Sequence, residues 1–227
     1  RDPLWSRGLG DVYKRQTGYG LMKYVKKCYS ALDDIWVLTN SDKKEFDNNL
    51  DIESKVLYNP LPKNNNISTT YEEGYVLFAG RLEREHKGLD YLIDVIKKIS
   101  EEVPKLRVTI IGDGPSHSWL KAEIEKTGLK EKVNLLGTTD NVYQFYSKAS
   151  VMVQTSRWEG FGMTILEAMS CGIPVVAFHN YGPDEIIRDS VDGYLVDHFD
   201  TEAFAKKVAE ILKPVSYTHL TLPTKRI

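Results

Sequence analysis

The chain has 227 residues, of which 41% are hydrophobic, and its formal net charge is −2. This length allows one large domain, or one domain with part of another, and the apolar content excludes a wholly disordered chain. The near-neutral charge gives no basic excess of the kind that nucleic-acid-binding proteins show, so no nucleic-acid partner is expected. The two cysteines, Cys28 and Cys171, form neither a disulfide framework nor a zinc pattern, which favours a reducing, cytoplasmic location.

The two ends of the chain lack the hydrophobic periodicity of the residues beside them. Residues 1–16 and 214–227 resemble translated adapter sequence at the ends of shotgun-assembled reading frames, with ordinary disordered termini as the alternative. We therefore expect both segments to be non-native tails and the natural protein to extend beyond them.

From residue 75 onward, short apolar runs alternate with segments of helical periodicity. Continuous apolar strands with helical crossovers indicate a parallel sheet that is covered on both faces. Gly128 is predicted to cap one helix at its C-terminus and Thr201 to cap another at its N-terminus. Residues 75–213 are therefore predicted to form one α/β domain with a doubly wound, Rossmann-like sheet. The predicted strands are 75–79, 106–111, 133–137, 150–155, 174–178 and 194–196, and the predicted helices are about 89–103, 116–127, 141–148, 162–170, 184–187 and 201–212.

The residues before this domain follow a different pattern. Helices are predicted over 20–31 and 41–50, and strands over 34–39 and 55–58. Two strands cannot bury a core by themselves, so residues 17–58 are predicted to be a remnant of a preceding domain. Residues 59–74 are polar and rich in turn residues, which is typical of an interdomain linker.

The first candidate site follows the first strand of the predicted sheet. Ligands of a doubly wound sheet bind at the carboxyl ends of its strands. Arg81 directly follows a strand and Lys87 precedes a helix, so two cations at one rim could flank a diphosphate. The alternative for both residues is an ordinary charge on a solvated turn.

The second candidate site is the segment RWEGFGMTILE at 157–167. Gly160 and Gly162 allow close backbone approach, and a helix beginning near Gly162 directs free amide groups toward an anion. Glu167, inside this helix, could accept two hydroxyl donors, as from a ribose diol. Taken alone, Glu159 and Glu167 are better explained as ordinary charges near the start of a helix.

Other motifs are weak or missing. The turns GDGP at 112–115 and GTTDN at 137–141 could face a flat base, although many strand-to-helix turns look alike. The string GDGPSH lacks the third glycine of a dinucleotide fingerprint, which argues against an oxidoreductase. No Asp-x-Asp follows a strand, so there is no obvious metal–diphosphate site.

Taken together, these motifs resemble those of the retaining GT-B glycosyltransferases of family 4. GR…KG at 80–88, a strand ending in GDGP, LLG at 135–137 and SRWEGFGMTILEAMSCGIPVV at 156–176 occur in the family's order and at its usual distances. The most specific feature is the pair of glutamates with seven residues between them, followed by EAMSCGIPVVA. The resemblance covers residues 33–213. It implies that 75–213 is the C-terminal, nucleotide-sugar-binding half of a GT-B fold and that 17–58 belongs to the acceptor domain.

The resemblance also implies a role for each site residue. Arg81 and Lys87 would hold the donor diphosphate and stabilise the leaving nucleotide diphosphate, and Glu159 would meet the donor sugar as a third catalytic group. Glu167 would hold the ribose hydroxyls. The other implied donor-binding residues are Gly80, Gly112, Gly114, Thr138, Gly160, Phe161, Gly162, Met163 and Thr164. No metal and no cofactor is expected.

The implied activity is transfer of a sugar from a nucleotide-diphosphate sugar to a glycan or lipid-linked acceptor, with retention of anomeric configuration, in polysaccharide or glycolipid synthesis. Uridine is the default base. The acceptor would bind through the N-terminal domain, so this chain is expected to be limited to donor binding and inactive by itself. The full protein would contact the inner face of the membrane peripherally. Two alternatives remain open: a non-catalytic nucleotide-binding module and a sugar-nucleotide epimerase of the same fold.

Overall fold

The computed structural model describes residues 26–29, 31–50, 53–61 and 70–213. The predicted tails lie outside these ranges, as do residues 62–69 of the predicted linker and most of the predicted helix at 20–31. Contacts divide the chain into two compact units, and each is described by itself. The amino-terminal unit is assigned residues 1–60, 158–162 and 180–185, and the sheet unit is assigned residues 61–157, 163–179 and 186–227.

The amino-terminal unit contains a two-stranded parallel sheet. Strand β1 (Trp36–Val37) pairs with β2 (Lys55–Val56), and helix α1 (Asn40–Leu50) connects them. Both strands are shorter than predicted. Among its described residues, Ile35, Val37, Phe46 and Leu50 form one buried apolar cluster. The interpretation of residues 17–58 as a remnant of a preceding domain stays a prediction.

The sheet unit contains six parallel strands, which confirms the predicted doubly wound α/β fold. The strands are β3 (Tyr75–Ala79), β4 (Arg107–Ile111), β5 (Val133–Gly137), β6 (Val151–Gln154), β7 (Val175–Phe178) and β8 (Gly193–Val196). Their order in the sheet is β5-β4-β3-β6-β7-β8. The helices that follow are α2 (Arg84–Lys87), α3 (Leu89–Glu102), α4 (His117–Lys126), α5 (Tyr143–Tyr146), α6 (Met163–Ser170), α7 (Tyr181–Ile186), which lies mostly in the amino-terminal unit, and α8 (Thr201–Leu212).

The strand order places a topological switch point between β3 and β6. The chain builds the sheet outward from β3 through β4 to β5, and then from β6 through β7 to β8. The connections that leave β3 and β6 therefore run in opposite directions, and such a point leaves a crevice at the carboxyl ends of the two strands. This crevice is where the fold itself predicts a ligand.

Both faces of the sheet are buried, which explains why its strands read as continuous apolar runs. Successive residues of β3 point to opposite sides: Phe78 belongs to the core under α3 and α8, and Leu77 belongs to the core under α5 and α6. Ile96 and Phe204 fill the first core, and Ile165 fills the second.

Two predicted helix caps can be compared with the structure: one is confirmed and the other lies one residue away. Gly128 follows α4 at a φ of +73°, with the Leu129 amide donating to the Ile124 carbonyl oxygen at 3.0 Å, so the predicted C-terminal glycine is confirmed. The predicted cap of α8 was wrong by one residue. Asp200, rather than Thr201, is the cap, because its carboxylate accepts from the Ala203 amide at 2.9 Å.

Candidate functional site

Three loops at the carboxyl edge of the sheet interlock through backbone hydrogen bonds. The Leu82 amide, after β3, donates to the Asp113 carbonyl oxygen at 2.9 Å. The Gly112 amide, after β4, donates to the Gly137 carbonyl oxygen at 2.8 Å. The loops that follow β3, β4 and β5 therefore form one continuous edge, which we call the rim (residues 80–88, which include the short helix α2, 112–116 and 137–138).

Two predicted ligand-binding glycines are explained by the packing of this rim. A Cβ atom at Gly112, where φ is +136°, would lie 1.9 Å from the Gly80 carbonyl oxygen. A Cβ atom at Gly114 would lie 2.5 Å from the Leu82 carbonyl oxygen. Side chains at these positions would push the loops apart, since real contacts are longer than 3 Å. Glycine is thus required here for loop packing, and direct contact of these residues with a donor stays a prediction.

The two predicted cations lie in the first loop of the rim. Lys87 is half-buried. A Cβ atom added at Gly80 would lie 3.8 Å from the Cε atom of Lys87, so the Lys87 side chain runs back to the end of β3. Arg81 is exposed, with its Nε atom 3.9 Å from a Glu83 carboxylate oxygen. A pair this long and this exposed contributes little stability.

The backbone around Lys87 is fastened to the segment that follows β6. The Thr155 hydroxyl donates to the carbonyl oxygens of Lys87 and Gly88, at 3.1 Å each, and the Arg157 amide donates to the His86 carbonyl oxygen at 2.9 Å. Gly88 has a φ of +59°, and a Cβ atom there would lie 2.0 Å from the Thr155 carbonyl oxygen. These contacts cross the switch point. Sequence reasoning missed Thr155, although the glycine after Lys87 was a signal of close approach.

An ion pair reinforces this fastening. The Arg157 guanidinium binds both carboxylate oxygens of Asp90, at 2.9 and 2.6 Å, and lies 4.1 Å from the centre of the Tyr91 ring. Burial alone would raise the pKa of Asp90, but the hydrogen bonds and charge of Arg157 outweigh it and hold the pKa below its usual value. The pair is therefore ionised at neutral pH, and it loses its contribution only as acid protonates Asp90.

Buried polar side chains connect the end of β6 to the start of α6. The Ser156 hydroxyl donates to the Gln154 side-chain oxygen at 3.1 Å, and the Gln154 amide group donates to the Thr164 hydroxyl at 3.3 Å. Ser156 and Gln154 are both 1% exposed. Thr164, a predicted donor-binding residue, is thus held in the first turn of α6.

Glu167 is not an ordinary exposed helical glutamate. It is half-buried on α6, and its Oε2 atom accepts a 3.0 Å hydrogen bond from the Tyr146 hydroxyl. Burial raises the pKa of Glu167, and the Tyr146 hydrogen bond partly opposes this shift. The second carboxylate oxygen, Oε1, has no hydrogen bond assigned in the described chain and could accept from a ligand.

The predicted residues 159–162 belong to the amino-terminal unit. The Glu159 amide donates to the Asn180 side-chain oxygen at 3.3 Å, and its carbonyl oxygen accepts from the Gly182 amide at 3.0 Å. The buried Phe161 ring stacks on Tyr58 with a centroid distance of 6.0 Å. These backbone contacts fix the loop that carries the Glu159 carboxylate, and the Phe161 side chain serves packing.

The remaining predicted residues lie at the start of α6 and just after β5. Gly162 adopts a φ of +96° directly before α6, and Met163 is the first residue of that helix. Gly160 is buried, and Thr138 is exposed just after β5. Nothing in these positions assigns a ligand to them, so their donor-binding roles stay predictions.

An open groove of about 590 Å³ lies elsewhere on the sheet unit. It is lined by residues at the starts of β3, β4 and β5, such as Arg107, whose guanidinium pairs with a Glu72 carboxylate oxygen at 2.8 Å. Because a doubly wound sheet binds ligands at the opposite ends of its strands, this groove is not the candidate site.

A doubly wound sheet with a cationic rim at its switch point is typical of domains that bind a nucleotide. Residues 62–216 match the family described as "Glycosyl transferases group 1", and the chain belongs to that family. The predicted resemblance to glycosyltransferases is therefore confirmed, whereas the narrower assignment to family 4 stays a prediction.

Two curated relatives illustrate the match. The chain is 33% identical over 134 residues to the poly(glycerol-phosphate) alpha-glucosyltransferase of Bacillus subtilis, with 59% of this chain and 20% of that protein covered. It is 28% identical over 194 residues to the amylovoran biosynthesis glycosyltransferase AmsD of Erwinia amylovora, with 82% and 54% covered. The chain thus spans a fifth and about half of the length of these relatives.

A solved structure supports the same conclusion. The chain superposes with a TM-score of 0.80 and 27% identity on S. aureus TarM, in a crystal structure with fondaparinux, alpha-GlcNAc-glycerol and UDP. The superposition covers 87% of this chain and 40% of the TarM chain. The structural neighbours are GT-B glycosyltransferases, so the predicted GT-B half-fold is confirmed. In the part of the chain that is described, no helix has the length and apolar character needed to cross a bilayer.

The fastening at Gly88 can be tested against a matched glycine. Gly88→Ala and Gly128→Ala both place a side chain at positive φ. A Cβ atom at Gly88 has no room, whereas no atom of the described residues lies within 4 Å of a Cβ atom at Gly128. We expect Gly128→Ala to cost about 1 kcal/mol of unfolding free energy, and Gly88→Ala about 3 kcal/mol or more, because overpacking adds to the strain. Urea unfolding of both variants measures the difference, and equal losses would contradict the close approach.

Proposed function

We propose that this chain is the donor-binding half of a retaining glycosyltransferase. The full protein would transfer a sugar from a nucleotide-diphosphate sugar to a glycan or lipid-linked acceptor, in polysaccharide or glycolipid synthesis. The observation that carries the proposal is the pair of cations, Arg81 and Lys87, in one rim loop at the switch point of a sheet from this family. UDP is the proposed nucleotide, supported by its presence in the TarM structure.

The chemistry follows from where charge develops. When the bond between the sugar and the diphosphate breaks, the departing diphosphate gathers negative charge, and fixed cations that are already in place stabilise it without reorganisation. Lys87 fits this role because Thr155 and Gly88 hold its backbone in one position. Retention means that the acceptor oxygen bonds to the anomeric carbon on the same face of the sugar from which the diphosphate oxygen departs.

Calorimetric titration of the chain with UDP, GDP and ADP tests donor binding directly. The proposal requires that at least one nucleoside diphosphate binds, with UDP expected to bind most tightly. Incubation with radiolabelled UDP-sugars and lipid acceptors tests the second part, since we expect no transfer by this chain without the acceptor domain. Absence of binding to all three nucleotides would overturn the proposal.

Removal of either rim cation should weaken diphosphate binding. We expect Lys87→Ala and Arg81→Ala each to cost about 1–3 kcal/mol of UDP affinity, the scale of a charge-assisted hydrogen bond, and to leave uridine affinity nearly unchanged. Lys206→Ala is the matched control, because Lys206 is exposed on α8, away from the strand ends. Titration calorimetry measures all three. If UDP binds both rim variants as tightly as it binds the control, the diphosphate does not contact these cations.

The proposed site requires no divalent metal, because cationic side chains would offset the diphosphate charge. Within the described residues, no three His, Cys, Asp or Glu side chains are grouped so that they could hold a metal ion. We expect UDP affinity in EDTA to match that in magnesium or manganese. A gain of tenfold or more with metal, about 1.4 kcal/mol, would show that the diphosphate is bound through a cation.

The two glutamates should act on different parts of the donor. We expect Glu167→Gln to weaken UDP and UDP-sugar alike, by about 1–3 kcal/mol, because both ligands carry the ribose. Glu159→Gln should leave UDP affinity unchanged and lower turnover of the full-length protein, since a contact made mainly in the transition state affects the rate. Titrations and rate measurements on both variants check this. If instead Glu159→Gln weakened UDP binding and Glu167→Gln lowered only turnover, the roles of the two glutamates would be exchanged.

A further inference from the structure

Tyr146 is the group that holds the Glu167 carboxylate in the sheet unit. Its ring is fully buried beside β6 and α6, and its hydroxyl donates to Glu167 Oε2 at 3.0 Å. It lies on α5, the short helix that follows the rim loop after β5, 21 positions before Glu167. A closely packed, buried side chain thus determines where one oxygen of the carboxylate lies.

Tyr146 remains a hydrogen-bond donor over the whole working pH range. Burial, and then the nearby charge of Glu167, raise the pKa of the Tyr146 hydroxyl far above its usual value. The other titratable groups facing this carboxylate are Tyr143 and Cys171. Within the described residues, the Tyr143 hydroxyl oxygen is buried and has no hydrogen-bond partner. Tyr146 is therefore the group whose hydrogen bond opposes the rise in the pKa of Glu167 that burial causes.

We propose that Tyr146 is a positioning residue for ribose recognition, which anchors Oε2 of Glu167 so that Oε1 faces the hydroxyls of the donor ribose. The inference rests on the proposed role of Glu167 in the donor site. With one oxygen occupied, the carboxylate cannot rotate away, and less rotamer freedom is lost when the ribose binds. The Tyr146 bond also favours the ionised form, which accepts hydrogen bonds at every lone pair.

The association constant for UDP, divided by the association constant for 2′,3′-dideoxy-UDP, isolates this role; we call this quotient the ratio. Both ligands carry the same base and diphosphate, so the ratio reports only the ribose hydroxyls. We expect Tyr146→Phe to lower the ratio about tenfold, the effect of one charge-assisted hydrogen bond. Tyr143→Phe is the matched control, because it removes a neighbouring tyrosine hydroxyl of the same helix that has no hydrogen-bond partner among the described residues. We expect it to leave the ratio unchanged.

The pH dependence of the same ratio separates positioning from a merely structural role. In the unmodified chain, the ratio should fall as the pH decreases through the pKa of Glu167, because the protonated carboxyl loses acceptor capacity. Without the Tyr146 hydroxyl, burial is unopposed and the pKa of Glu167 rises further. The midpoint should therefore move to higher pH in Tyr146→Phe and stay in place in Tyr143→Phe.

The outcomes distinguish this inference from the proposed function. If Glu167→Gln lowers the ratio and Tyr146→Phe changes neither the ratio nor its midpoint, Glu167 binds ribose but Tyr146 does not position it, and the inference is overturned. If Glu167→Gln also leaves the ratio unchanged, the proposed role of Glu167 fails, and the inference with it. Thermal melts of each variant serve as the control that tests whether it is folded. Should Tyr146→Phe not fold, a pH-independent ratio in the unmodified chain would show that the Glu167 carboxylate does not bind the ribose, and the inference would fail together with that role.

Discussion

The fastening of the loop after β3 to the segment after β6 is the constraint on which the rest of the site depends. In a doubly wound sheet the connections from these two strands diverge, so nothing in the sheet itself holds their loops together. Here the Thr155 hydroxyl, the Arg157 backbone and the close approach at Gly88 provide that connection. Because Lys87 lies within the fastened loop, its position relative to the strand ends follows from backbone contacts.

The charges near the carboxyl edge suit a ligand with both phosphate and hydroxyl groups, as the proposed function requires. Arg81 and Lys87 place positive charge at one part of the rim, and Glu167 presents a carboxylate oxygen on α6. The Glu167 charge has a local reason to persist, because its carboxylate receives the Tyr146 hydrogen bond. A charge without such support in a buried position would neutralise instead.

Much of the fold and part of the site could be predicted from the sequence. Hydrophobic periodicity is a local property, so YVLFA at 75–79 and the other apolar runs were sufficient to predict six strands of a parallel sheet. Strand ends share one edge of such a sheet, which led to Arg81 and Lys87 at the rim. The helix α2 and the Asp200 cap were missed, because a four-residue helix and a one-residue shift leave little periodic signal.

The sequence by itself determined the fold class and which charged residues follow each predicted strand, whereas the order of the strands in the sheet came from the tertiary structure. Only the tertiary structure decided which side chains support these charged residues. Thr155 meets Lys87 across 68 positions, and Tyr146 meets Glu167 across 21. The physical reason is that these contacts join different elements of the sheet unit. Their partners are selected by packing of the folded chain, and no local pattern of hydrophobic or turn residues encodes them.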